Sequence, residues 1–158
     1  MRKIDALLAE YGESHQNQTN KNIHWICVPL IFFSVVGLIA SIPSGIVQDI
    51  LGEGNFYANW ATITLIVATA YYVTLSIGLT IGMVGFGLLC LYISNLIYYS
   101  GLQLWLVSLS VFALAWVGQF YGHKIEGKKP SFLKDLQFLL IGPAWLMHFI
   151  YKKLGIPY

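Results

Sequence analysis

Four histidines offer most of the metal-binding chemistry in this sequence, and they stand at His15, His24, His123 and His148. A neutral imidazole is a good ligand for iron, zinc, copper or nickel. A long stretch of sequence separates His24 from His123. These residues therefore predict a metal site only if the fold brings distant parts of the chain together.

The third histidine stands within a short polar pattern of its own. Gln119, His123 and Glu126 follow one another at i, i+4 and i+7, so they share one face if a helix persists through them. Fe(II) sites that activate oxygen use histidines, often a carboxylate, and keep coordination positions open. The alternative for Glu126 is an ion pair with Lys124 or Lys128.

The first two histidines can face one site only if the chain bends between them. On one continuous helix, the spacing of His15 and His24 would place them about 180° apart. Residues 16–20 are polar and poor helix formers, which predicts a break there. Thr19 or Asn20 is then expected to cap the next helix.

The elements that must position these residues are predicted to lie in a membrane. Charged residues make up only 10% of the chain, against roughly 25% in a typical soluble domain. Residues 54–123 contain no Asp, Glu, Lys or Arg. We therefore predict an all-α, polytopic membrane bundle that forms a single domain over residues 1–158. Since a crossing needs roughly 20 residues, about four transmembrane helices are expected, at residues 25–42, 60–76, 79–98 and 102–121.

Two further helices are expected to flank the bundle. Residues 2–14 show the apolar spacing of an amphipathic helix, which is typical of a helix in the membrane interface. Residues 134–151 are apolar but short for a span, and Gly142-Pro143 interrupts them. A broken, re-entrant or interfacial C-terminal helix is predicted there.

Small residues within the predicted spans favour packing roles. Gly78-x-x-x-Gly82 is typical of a face on which two membrane helices approach closely. Cys27 and Cys90 lie in different spans and neither has a neighbouring cysteine, so both are expected to fill the core rather than bind a metal.

Basic residues predict the topology. They flank the predicted four-span region: Arg2, Lys3, Lys21, Lys124, Lys128, Lys129 and Lys134. The loop between the first two spans has Asp49 and Glu53 but no basic residue. The positive-inside rule then places the N-terminus and the loop after the fourth span in the cytoplasm.

This topology brings the histidines to one level of the membrane. His15 and His24 flank the start of the first span, and His123 ends the fourth, so all three fall at the cytoplasmic boundary. His148 reaches the same level if the tail folds back. The alternative is that each histidine is an ordinary interfacial side chain, like Trp25 or Tyr121.

The sequence contains no Lys/Arg-rich run, so it does not predict a nucleic-acid partner.

Two separated motifs resemble those of a known family. The first comprises Tyr11, His15, Asn20, His24 and Pro29, and the second comprises Trp116, Gln119, Phe120, Gly122, His123, Glu126 and Pro130. They resemble the small membrane proteins of the endoplasmic reticulum and of bacteria that are typified by the fungal 2-hydroxy fatty acid dioxygenase. The likeness in length, spans and motifs covers nearly the whole chain.

The resemblance implies an oxidoreductase of lipid metabolism. A long-chain 2-hydroxy fatty acid would react with O2 in an Fe(II)-dependent α-oxidation and leave as a fatty acid one carbon shorter. His15, His24 and His123 would be the iron ligands. His148 has no required counterpart in the family, so its ligand role rests on the topology argument alone. The resemblance also implies an integral membrane location, in the bacterial inner membrane or the endoplasmic reticulum.

Other polar residues of the motifs are expected to support the metal. Hydrogen bonds from Asn20, Gln119 or Tyr11 would orient the ligands and the substrate, and Glu126 is a further candidate catalytic residue. The acyl tail of the substrate would lie in the lipid bilayer, so that its carboxyl end arrives at the boundary where the histidines are expected.

Two functions of other classes remain open at this point. A zinc-dependent lipid hydrolase would use the same ligands with Glu126 as its base, and it would need no O2. A non-catalytic lipid-binding or assembly protein would bind no tight metal.

Overall fold

The chain is all-helical in the computed structural model, which describes residues 2–127 and 132–158. Across these residues it forms seven α-helices and no strand, which confirms the predicted all-α class; the short helix within residues 45–51 was expected to be a loop. The helices are α1 (Lys3–Glu13), α2 (Gln18–Ala40), α3 (Gly45–Leu51), α4 (Trp60–Leu75), α5 (Ile77–Tyr99), α6 (Leu104–Glu126) and α7 (Phe132–Leu154). The expectations for Lys128, Lys129 and Pro130 concern positions outside the described residues.

A break between α1 and α2 is present, as predicted, but it lies at residues 14–17 rather than 16–20. The predicted cap is wrong, because Asn17 caps α2 rather than Thr19 or Asn20. Its side chain accepts hydrogen bonds from the backbone N–H groups of Thr19 and Asn20, at 2.9 and 3.3 Å. The first amides of a helix have no partner inside it, and an Asn side chain satisfies them well.

Among the described residues, three helices are long and apolar enough to cross a membrane: α2, α5 and α6. Each has 23 residues, which at a rise of 1.5 Å gives about 35 Å, more than a hydrocarbon core of about 30 Å. Large apolar side chains face outward on them, such as Ile81 and Leu114, which are 69% and 74% exposed. These features indicate a membrane protein. The second predicted span, α4, is apolar but has only 16 residues.

The long helices run alternately up and down. At one end, the loop after α2, the start of α4, the end of α5 and the start of α6 line a common cleft with a volume of about 710 Å³. At the other end, Glu126 bonds to the backbone of Gln16 and Asn17. The start of α2 and the end of α6 therefore meet far from the cleft.

Glycines let α2 and α6 approach closely. A Cβ at Gly118 would lie 2.6 Å from Sγ of Cys27, and a Cβ at Gly122 would overlap the side chain of Asn20. Gly37 on α2 similarly faces Ser108 on α6. Gly118-x-x-x-Gly122 is thus the small-residue face of this helix pair. Cys27 and Cys90 are both free and buried, as predicted.

The predicted break in the C-terminal helix is absent, because α7 is continuous through Gly142-Pro143. A proline inside a helix removes one backbone hydrogen bond. Packing offsets this loss, since Ile141, Ala144 and Trp145 next to it are all buried.

The C-terminal helix crosses the bundle at the end away from the cleft. The hydroxyl of Tyr151 donates to the carbonyl oxygen of Gly78 at 2.9 Å. A Cβ at Gly82 would lie 2.8 Å from Sδ of Met147. Gly78 and Gly82 are therefore a close-packing face, as predicted, and their partner is α7 with the residues that follow it.

The amphipathic helix α1 is present, and its apolar face is covered by protein. Ile4, Leu8 and Tyr11 are buried in one cluster with Ile141 and Trp145 of α7. This contact fixes the end of α1, from which His15 follows.

Candidate metal centre

Three of the four histidines converge where α1, α2 and α6 meet. His15, His24 and His123 each offer a ring nitrogen, and these nitrogens lie within 4.8 Å of one another. The ring centroids of His15 and His24 are 4.1 Å apart, and that of His123 lies 5.6 and 5.1 Å from them. His15 and His24 are almost completely buried and His123 is half-buried.

Backbone carbonyls fix two of these rings. Nδ1 of His15 lies 2.6 Å from the carbonyl oxygen of Tyr11, and Nδ1 of His24 lies 2.9 Å from that of Asn20. A carbonyl oxygen only accepts, so each neutral ring carries its proton on Nδ1. Nε2 is then the unprotonated nitrogen. Histidines that bind metals commonly donate their second N–H to a carbonyl in this way.

Aromatic side chains close the site on the side of α1 and α7. The ring of Tyr11 stacks on His15 at 4.2 Å with an angle of 11° between the planes. Trp145 of α7 lies 5.5 Å from the same imidazole. Gly142 permits this cover, because a Cβ there would lie only 3.0 Å from the hydroxyl of Tyr11.

Glu126 binds the backbone of the break between α1 and α2. Its carboxylate accepts from the N–H groups of Gln16 and Asn17, at 2.8 and 3.0 Å. It also accepts from Nδ2 of Asn20 at 3.0 Å. Among the described residues, the histidine group has no carboxylate member. The carboxylate thus ties the loop that carries His15 to the end of α6.

The helix α6 ends immediately after this carboxylate. Gly127 has a φ of +71°, a left-handed conformation that glycine adopts without strain and that commonly terminates helices. The helix therefore persists through Gln119, His123 and Glu126, as their shared face requires. Gln119 is buried one turn before His123.

Asn20 is completely buried beside His24, on the same face of α2. Its Nδ2 donates to Glu126 and, at 3.2 Å, to the carbonyl oxygen of Ser14. Its Oδ1 has no hydrogen-bond donor within the part of the chain that the structure describes.

The fourth histidine lies away from the other three. The structure does not bring His148 into the group, within the residues it describes. Its Nδ1 bonds instead to the hydroxyl of Tyr158. Burial, together with the nearby charge of Lys152, lowers the pKa of His148 below its ordinary value. The C-terminal segment does fold back, but His148 lies one helical turn beyond Trp145. It is Trp145 that contacts the histidine group.

The donor set suits a first-row transition metal. Three imidazoles suit iron, zinc, copper or nickel. Nε2 of His24 is buried and has no hydrogen-bond partner in the described residues, which is unfavourable unless something binds it. The three histidines therefore fit a metal ion.

Sequence reasoning missed Trp145, Gly142 and the packing role of Gly122. An aromatic residue in an apolar helix is ordinary, so nothing marked Trp145. Gly142 was noted only as part of a predicted helix break, not as a contact of Tyr11. Gly122 was recognised only as a motif residue. Its spacing from Gly118 was the available signal.

A family model described as Mpo1-like, 2-hydroxy-palmitic acid dioxygenase Mpo1-like, matches residues 1–154. No curated protein and no solved structure matches the chain.

Proposed function

Because the chain belongs to the Mpo1-like family, we propose that it is an Fe(II)-dependent dioxygenase that converts long-chain 2-hydroxy fatty acids to fatty acids one carbon shorter. The observation that carries this proposal is the buried group of His15, His24 and His123 in a chain of that family. The reaction balances without an added reductant, because the hydroxy acid and O2 together contain the atoms of the shorter acid, CO2 and water.

His15, His24 and His123 would hold the metal. When bound, Fe(II) would supply the one-electron chemistry that reaction with O2 requires. The carbonyl oxygens of Tyr11 and Asn20 keep the protons of two rings on Nδ1, so that both rings present Nε2. Stacking against Tyr11 holds the His15 ring in place.

The surrounding helices would limit the access of water. Tyr11 and Trp145 cover one side of the histidines, and α2 and α6 touch through glycines on another. A site with little water strengthens polar contacts to a bound carboxylate and suppresses side reactions. Gln119 and Asn20 are the buried polar side chains nearest to the histidines along α6 and α2.

The placement of the histidines at the ends of long apolar helices suits a lipid substrate. His24 lies near the start of α2 and His123 near the end of α6. An acyl tail would lie along the apolar helices, while its carboxyl end would meet the histidines. We propose that this end of the bundle is the cytoplasmic boundary, as the basic residues predict.

The hydrogen bonds of Glu126 argue against the zinc hydrolase. A zinc hydrolase would need this carboxylate as its base, yet the carboxylate accepts two backbone N–H groups and the amide of Asn20. These bonds favour a positioning role. The buried histidine group likewise argues against a protein without a metal.

Metal analysis combined with an oxygen electrode tests the proposed function. Protein purified in detergent without O2 should contain one Fe(II) per chain. It should consume O2 when given 2-hydroxyhexadecanoate and yield pentadecanoate. The zinc-loaded protein is the control and should consume none. Full iron occupancy without O2 uptake, or lipid hydrolysis by the zinc form, would contradict the proposal.

A further inference from the structure

The amide of Asn20 is held in one orientation. Its Nδ2 donates to two acceptors, the carboxylate of Glu126 at 3.0 Å and the carbonyl oxygen of Ser14 at 3.2 Å. If the amide turned over, its oxygen would face both acceptors and no donor. The nitrogen therefore faces the loop, and Oδ1 faces the opposite way.

This orientation leaves a buried oxygen beside the histidines. Asn20 has 0% exposure, and Oδ1 has no donor among the described residues. A Cβ at Gly122 would overlap Oδ1 and lie 3.5 Å from Cε1 of His24. The oxygen and the His24 ring therefore both lie against Gly122, whose missing side chain leaves room for Oδ1 beside His24. A buried acceptor without a donor is unfavourable, so a ligand that supplies one is favoured.

The chemistry of the acceptor selects the group that it recognises. Oδ1 of an amide only accepts hydrogen bonds. In an ionised 2-hydroxy fatty acid, the carboxylate also only accepts and the acyl chain does neither, so the 2-hydroxyl is the only donor. We propose that Asn20 is the residue that selects 2-hydroxylated over unhydroxylated fatty acids, through a hydrogen bond from the 2-hydroxyl to Oδ1, and that Glu126 positions it. This inference rests on the proposed function and names the residue that recognises the 2-hydroxyl group of the substrate.

Binding measured without O2 tests the inference apart from turnover. The Fe(II)-loaded full chain is titrated with 2-hydroxyhexadecanoate and with hexadecanoate, and the ratio of the two Kd values is compared between variants. N20A should reduce the preference for the hydroxy acid by roughly tenfold, the effect of one buried hydrogen bond. The matched control is N22A, because Asn22 lies on the exposed side of α2. It should keep the wild-type ratio.

A second variant guards against loss of the metal site in N20A. In E126Q the amide at position 126 can donate as well as accept, so only the carbonyl oxygen of Ser14 still favours one orientation of the Asn20 amide. The preference of E126Q for the hydroxy acid should also fall. Folding and iron content of both variants are measured alongside. An unchanged ratio in whichever variant retains iron, or an equal weakening of both acids, would overturn the role of Asn20. Wild-type protein without iron or O2 uptake would instead overturn the proposed function.

Discussion

At the scale of single residues, the position of a proton decides what each imidazole can bind. His15 and His24 each stand four residues after the carbonyl that receives their Nδ1 proton, Tyr11 for the first and Asn20 for the second. This hydrogen bond from an imidazole Nδ1 to the carbonyl oxygen four residues earlier occurs both at the end of α1 and within α2. Local helical geometry thus sets both tautomers before any metal arrives.

Replacing one histidine of the group should abolish metal binding. His24→Ala removes a buried ligand, and two imidazoles do not hold a transition metal tightly. We expect the purified variant to contain less than a tenth of the wild-type iron, measured by elemental analysis. His148→Ala is the matched control and should keep its iron, because His148 lies outside the group. Equal iron in both variants would place the metal elsewhere.

The sequence could predict the three histidines but not the partner of Glu126. The motifs around His15, His24 and His123 are separated and specific, so they indicated one site. The backbone amides of Gln16 and Asn17 that Glu126 binds leave no signal in residue types. A carboxylate near histidines resembles a ligand until the fold shows what it contacts.

At the scale of elements, the helices were predictable from their apolar composition, whereas their ends were less so. Residues 16–20 include several residue types that can cap a helix. Which of them caps depends on backbone angles that residue types do not determine. The continuity of α7 could not be predicted for a similar reason, because Gly142-Pro143 normally interrupts a helix. Only the burial of the residues next to this pair offsets the lost hydrogen bond.

Removal of the α2 cap should destabilise the protein. Asn17→Ala deprives the first amides of α2 of their acceptor, at a cost of about 1 kcal/mol. We expect a lower melting temperature in detergent. Thr19→Ala is the control, because only the backbone N–H of Thr19 takes part in the cap. If Thr19→Ala lowers the melting temperature more, the assignment of the cap is wrong.

The contact between α2 and α6 should not tolerate a methyl group at the site. Gly122→Ala places a Cβ against Oδ1 of Asn20. Overpacking of this kind costs about 1–3 kcal/mol, and here it also separates His24 from His123. Both melting temperature and iron content are expected to fall. Gly85→Ala is the control, since a Cβ there meets nothing within 4 Å. A Gly122→Ala variant with wild-type iron would show that the helices can separate without harm to the site.

At the scale of the whole molecule, the alternating direction of the helices explains how a site forms from both ends of the sequence. The starts of α2 and α5 and the ends of α4 and α6 lie at the histidine end. The cleft marks the opposite end. The helices α1 and α7 then pack on each other at the histidine end. The charge-free stretch predicted that these helices are apolar, but the cover provided by α7 depends on contacts between distant residues.

The two ends of the bundle should face different compartments. If α2 crosses the membrane, residues near Lys3 and near Glu53 lie on opposite sides, and the basic residues predict that Lys3 is cytoplasmic. A cysteine introduced at either of these exposed positions can be tested with a maleimide that does not cross membranes. In spheroplasts, Glu53→Cys should react, whereas Lys3→Cys should react only after lysis. The unmodified chain is the control, because Cys27 and Cys90 are buried and should stay unlabelled. The reverse pattern would put the histidines outside the cytoplasm, and labelling of both positions before lysis would mean that α2 does not cross.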